Sequence, residues 1–97
     1  MKVIWSLSAK NDLKFLHDWF LETSKSREIA QRFRLKIIKK CKAILFLKQY
    51  QSDEILGEPY RRIMVNNYRI VYKISSNNDV LILKIFDNRQ NPKKLSL

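Results

Sequence analysis

Between residues 9 and 48 the apolar side chains recur at helical intervals, and from Tyr60 onward they alternate with a period of two. That change of period limits the fold more than any other feature, because a helical pattern cannot sit as a strand, nor the reverse. Ala9, Leu13, Leu16 and Phe20 mark an amphipathic helix over 9–22, and Phe15 and Trp19 widen its apolar face. Ser8 is placed to cap it, and Asp12 falls in its first turns, where the helix dipole favours an acid. Thr23-Ser24-Lys25-Ser26 is a small polar stretch that makes a tight connection. A second helix is expected over 27–48, with Ala30, Phe33, Ile37, Cys41 and Ile44 in one stripe and Ile38, Leu45 and Leu47 broadening it. Two amphipathic helices on so short a linker form an antiparallel hairpin.

The remaining segments read as strands. Residues 2–7 are rich in β-formers, 60–65 and 68–74 flank Asn66-Asn67, and 80–86 is almost wholly apolar. Asn tolerates the positive φ of a hairpin turn. An apolar strand is a central one, covered on both faces. Residues 49–59 form the longest loop and carry the one acidic patch, Asp53, Glu54 and Glu58. The order β-α-α-β-β-β gives an α+β fold, an N-terminal helical hairpin packed on one face of an antiparallel sheet. Ninety-seven residues fit a single domain, 1–97.

A two-residue turn at Asn66-Asn67 fixes the pairing: Val65 with Tyr68, Met64 with Arg69, Ile63 with Ile70, Arg62 with Val71, Arg61 with Tyr72. Paired residues share a face and faces alternate. Ile63, Val65, Tyr68, Ile70, Tyr72 and Ile74 therefore face the helices. Tyr60, Arg62, Met64, Arg69, Val71 and Lys73 face the other way, which puts Arg62, Arg69 and Lys73 together on an exposed surface. On that placement, removing the Arg69 side chain should leave folding nearly intact.

Charge narrows the partners. Twenty Lys and Arg against nine Asp and Glu give a net charge of +11. Such an excess attracts polyanions: nucleic acid, ribosome or an acidic protein. One cysteine and one histidine, Cys41 and His17, leave no disulfide and no Cys- or His-based metal site. A single glycine leaves no phosphate-cradling loop. No cofactor, metal or small-molecule substrate is expected. No apolar run reaches the roughly 18–20 residues of a membrane span, and the first residues are too short for a signal-peptide core. Cys41 and the two tryptophans, Trp5 and Trp19, are expected in the core, and His17 on the helix surface. Asp87 is placed to stabilise the turn that carries Arg89.

These segments resemble the RelE/ParE superfamily of bacterial type II toxins. The resemblance rests on the opening strand into Ser8-Ala9-Lys10-Asn11-Asp12-Leu13, the two helices, Gly57-Glu58-Pro59-Tyr60-Arg61-Arg62, Tyr68-Arg69-Ile70-Val71-Tyr72-Lys73-Ile74, residues 80–85 and Arg89-Gln90-Asn91-Pro92. It implies a cytoplasmic toxin of a plasmid-stabilisation type of module, neutralised by a cognate antitoxin with an acidic segment. RelE-like members cut mRNA in the ribosomal A site, and ParE-like members poison DNA gyrase. In the first case the resemblance makes Arg69, Arg89 and Arg62 catalytic, holding the phosphate during attack by the 2′-OH. In the second, Tyr60, Arg62, Arg69, Lys73 and Arg89 form a binding surface for target or antitoxin. Two departures favour the ParE-like side. Nuclease members often carry a Tyr or His after the last arginine, whereas 90–97 has neither, and Tyr60 stands where a lysine is usual. A DNA-binding module is the less favoured alternative, since nothing marks a recognition helix. A toxin that keeps only antitoxin binding is also compatible with the residues.

Overall fold

Ser6, two residues ahead of the expected cap, starts the first helix. Its Oγ accepts from the Ala9 amide at 3.0 Å and donates to the Leu83 carbonyl at 3.0 Å, so the cap is also a tie to the sheet. The computed structural model describes residues 2–45 and 49–97. It contains β1 (Val3–Trp5), α1 (Leu7–Ser24), α2 (Arg27–Lys42), β2 (Arg61–Val65), β3 (Tyr68–Ile74), β4 (Val80–Asp87) and a 3-10 turn at Pro92–Lys94. Lys25, in the left-handed region at φ 57°, closes α1, and Ser26 caps α2 by accepting from the Ile29 amide at 3.2 Å.

The second helix stops at Lys42, short of residue 48. Gln49 folds back there, accepting from the Leu45 amide and donating to the Ala43 carbonyl. Those bonds satisfy backbone groups that a continuing helix would have used itself. Ile44 remains buried beyond the helix and Leu45 is exposed. Leu47, expected on the apolar stripe, lies outside the described residues.

The sheet runs β1-β4-β3-β2. It is mixed rather than antiparallel, because β1 lies parallel to β4 with Val3, Ile4 and Trp5 opposite Val80, Leu81 and Ile82. Parallel neighbours need a long crossover, and here the helical hairpin with β2 and β3 supplies it. The β2–β3 register is the expected one, from Val65 opposite Tyr68 to Arg61 opposite Tyr72. Asn66 takes the positive φ, 54°, and its amide oxygen accepts from Lys36 of α2 at 3.1 Å. β4 bulges by one residue, Leu83, so that Val71 faces Lys84 while Tyr72 faces Ile82.

The core lies between the hairpin and one sheet face. Ala9, Leu13 and Leu16 of α1 and Phe33, Ile37 and Cys41 of α2 meet Ile63, Val65, Tyr68, Ile70 and Tyr72, with Val80, Ile82 and Ile85 from β4. Phe33 stands 4.4 Å from Phe20 and 5.3 Å from Tyr68, ring centre to ring centre. Each such side chain adds roughly 1.5–3 kcal/mol through burial. Trp5 packs against this core, while Trp19 is exposed and touches only its margin, edge-on to Phe20 at 5.1 Å, and Phe15 is exposed, so neither widens the buried face of α1. Asp12 is not in the first turn. It reaches β4, accepting from the Ile85 amide at 2.9 Å and pairing with Lys84 at 3.1 Å. The second sheet face is covered too, by Leu95 on Val71 and Phe86, with Leu56 and Tyr60 alongside. Among the described residues no helix is long and apolar enough to cross a membrane.

Candidate functional site

Arg62 and Arg69 do lie on the face of the sheet turned away from the helices, yet that face is not an exposed cationic surface. Before β2 the chain doubles back along the sheet edge: the Arg62 amide donates to the Gln51 carbonyl at 3.1 Å and the Asp53 amide to the Tyr60 carbonyl at 2.8 Å. Between those bonds the chain must reverse. Gly57 does so at φ 73°, where an L side chain is strained, and its amide closes onto the Asp53 carbonyl at 2.7 Å. The Glu58-Pro59 peptide is cis. This turn lays the acidic patch over the arginines.

Asp53 is fully buried, 0% exposed, and Arg69 is 6% exposed. One Asp53 oxygen accepts from the Ile55 and Leu56 amides, both at 2.9 Å, which fixes the turn. The other accepts from Arg69 Nη1 at 2.7 Å. Glu54 bridges two strands: Oε1 accepts from Arg69 Nη2 at 2.7 Å and Oε2 from Arg62 Nε at 2.8 Å. Arg69 Nε donates to Asn88 Oδ1 and Arg62 Nη2 to Gln51 Oε1, each at 3.0 Å. The Arg62 hydrogen bond, reinforced by Arg69, pulls the Glu54 carboxyl down to about 2. Burial works against the charge of Arg69, and the bonds to Asp53 and Glu54 outweigh it, holding its pKa above the ordinary value. Two arginines and two acids thus cancel. The expected exposed cluster is sequestered because its counterions, eight or more residues upstream, fold onto it.

The other sequence-derived residues divide. Tyr60 is half-buried, with the Lys73 ammonium 6.0 Å from its ring centre, so both stay on the arginine side. Arg89 turns to the helix side. Its Nε and Nη2 donate to the two oxygens of Asp87 at 3.0 and 2.8 Å, and its guanidinium lies 5.9 Å from the ring centre of Tyr68. Asp87 also accepts from the Arg89 amide at 2.9 Å, the turn role expected of it. Hydrogen bonding from Arg89 lowers the Asp87 carboxyl, and burial raises the Tyr68 phenol. Arg89 is exposed and lines a groove of about 470 Å³ with Phe15, Trp19, Lys84 and Lys94. The aromatic wall of that groove escaped the periodicity argument, since Phe15 and Trp19 fit a helical repeat equally well on a wide core face or beside it.

A base for 2′-OH attack is missing around Arg69 among the described residues. Its two carboxylate neighbours are engaged as acceptors, and a carboxyl titrating near 2 is too weak to take a proton at neutral pH. Tyr72 is fully buried on the core face and its phenol is pushed to about 12. His17 sits on the far side of α1 in a second groove, with Lys10, Lys14 and Arg34. Cys41 is buried in the core, which drives its thiol to about 12 and keeps it from acting as a nucleophile. Among the described residues no group of His, Cys, Asp and Glu could hold a metal ion.

A family model described as "ParE toxin of type II toxin-antitoxin system, parDE" matches residues 3–92. The fold is similar to a chain in a solved structure described as the chromosomal ParDE TA system from P. aeruginosa, with a TM-score of 0.76 and 17% identity over 90% of this chain and 95% of that one. No curated protein matches the sequence.

Proposed function

The chain belongs to the ParE toxin family of type II toxin-antitoxin systems, and we propose that it arrests growth by binding DNA gyrase in the cytoplasm, not by cutting mRNA on the ribosome. A toxin of this kind has a cognate antitoxin as its partner. The reading rests on one observation. Arg69, which occupies the catalytic position in the nuclease resemblance, is buried and bonded to Asp53, Glu54 and Asn88. Each of its three nitrogens is already hydrogen-bonded and the side chain is buried, so its donors are aimed at protein acceptors, whereas catalysis by charge stabilisation needs donors aimed at the reacting group. Arg62 is tied to the same glutamate. Arg89 stays accessible beside exposed aromatics, an arrangement suited to a protein surface, where aromatic and arginine side chains anchor contacts. Lys73 and Tyr60 extend the binding surface on the opposite side.

Induction in cells lacking the antitoxin, with separate pulse-labelling of DNA and protein, tests this reading. Gyrase binding predicts an early halt in DNA synthesis and a DNA-damage response while translation continues. An early halt in translation with cleaved mRNA would sink it and return Arg62, Arg69 and Arg89 to catalytic roles.

A further inference from the structure

We propose that the acidic turn is an internal substitute for phosphate: Glu54 fills an oxyanion seat between Arg62 and Arg69 and keeps nucleic acid off this face of the sheet. The two oxygens of one carboxylate are each held by a different guanidinium, from neighbouring strands, at 2.7 and 2.8 Å. The two non-bridging oxygens of a phosphodiester present the same pair of acceptors, and arginine is the side chain best matched to them.

The two acids of the turn have different jobs. Asp53 is fully buried and holds the backbone of the turn with one oxygen while it binds Arg69 with the other. The Glu54 side chain is 55% exposed and stands at the mouth of the cluster. Neutralising Glu54 leaves the turn and the Asp53–Arg69 bond in place. With glutamine there, one amide oxygen stands where two carboxylate oxygens stood, so one of the two arginines loses its acceptor, and the cluster passes from balanced charge to a net positive one. What remains is an uncompensated positive charge with a freed guanidinium donor, beside a second guanidinium, on a chain of net charge +11. Attraction of such a surface to phosphate is independent of sequence. A basic protein that acts on a protein target is kept from that competing attachment by closing the seat from within. Glu54 is on this account a specificity residue; the inference rests on the reading of a protein target, and the binding measurement tests the closed seat separately from that target.

The test is binding of short labelled single-stranded RNA and DNA of mixed sequence, followed by anisotropy over a range of salt. Glu54→Gln is expected to bind both about tenfold tighter than the wild type, with a salt dependence steeper by about one phosphate contact. Glu22→Gln makes the same charge change on the exposed side of α1 and should gain less than about twofold, since it creates no seat. The double variant Glu54→Gln/Arg62→Gln should fall back to the wild-type level. Equal gains in Glu54→Gln and Glu22→Gln would overturn the proposal. So would an equal gain in binding a poly-glutamate peptide, which would make the seat one for protein carboxylates. If Glu54→Gln does not fold by circular dichroism, the wild-type background still decides. Arg62→Gln should then weaken RNA binding no more than Lys40→Gln, because Arg62 is already occupied, and a larger loss would refute the closed seat.

Discussion

Arg69 and Arg89 both end on carboxylates, but they are different objects. The partners of Arg69 come from 16, 15 and 19 residues away, Asp53, Glu54 and Asn88. The carboxylate partner of Arg89 is Asp87, two residues back. The first guanidinium is buried and ties the loop before β2 and the turn after β4 to the middle of the sheet. The second is exposed and holds mainly its own turn, with one long bond of 3.4 Å to the Tyr68 hydroxyl. A buried, long-range ion pair is costly to break, because removal of one member strands the other's charge away from water. A local exposed pair contributes little. Two arginines that look alike in the sequence therefore serve the fold in one case and the surface in the other.

The widest separation between them should come from Asp53→Ala. It leaves Arg69 without its buried counterion and the Ile55 and Leu56 amides without an acceptor, and should cost about 3 kcal/mol or more in urea unfolding. A loss under about 1 kcal/mol would mean that the cluster does not hold the fold.

Acid should sharpen the comparison next. The Glu54 carboxyl is lowered from 4.5 to about 2 in the folded chain. A depressed carboxyl adds stability above its unfolded pKa and loses it as the pH falls through the folded one. Wild-type stability should therefore decline between pH 4.5 and about 2, and Glu54→Gln should flatten that decline. The half-exposed side chain limits the difference to about 1 kcal/mol. An unchanged slope in Glu54→Gln would contradict the pairing with Arg62.

The smallest effects on stability belong to the Arg89 groove. Phe15 is 68% exposed. Phe15→Ser should therefore stay within about 0.5 kcal/mol of the wild type in urea unfolding. Arg89→Gln should leave the thermal midpoint where it is and weaken antitoxin binding about tenfold at low salt, with the difference fading as salt screens it. A lowered midpoint with unchanged antitoxin affinity would place Arg89 with Arg69, in the fold.

Much of this was legible in the chain. Alternation around Asn66-Asn67 carried the hairpin register residue by residue, and with it the core face of Tyr68, Ile70 and Tyr72. The stripe Ala30, Phe33, Ile37, Cys41 and Ile44 is buried as expected. What the periodicity did not carry were contacts with no period behind them. Asp53 and Glu54 sit in an irregular loop, so nothing in their spacing pointed to Arg69. Their isolation as the one acidic patch in a chain of +11 was the signal available. The parallel seat of β1 beside β4 is a topological choice that a three-residue strand does not announce. Ser6 and Ser8 are equally good caps locally, and the Leu83 carbonyl, 77 residues away, decides between them.

The most direct test of the central claim is equilibrium unfolding in urea of Arg69→Met beside Arg89→Met. The account predicts a loss of about 3–5 kcal/mol for Arg69→Met, because Asp53 is left buried and unpaired, and no shift of midpoint for Arg89→Met. Indistinguishable midpoints in the two variants would contradict it, and would put Arg69 back on the exposed surface that strand alternation alone assigns to it.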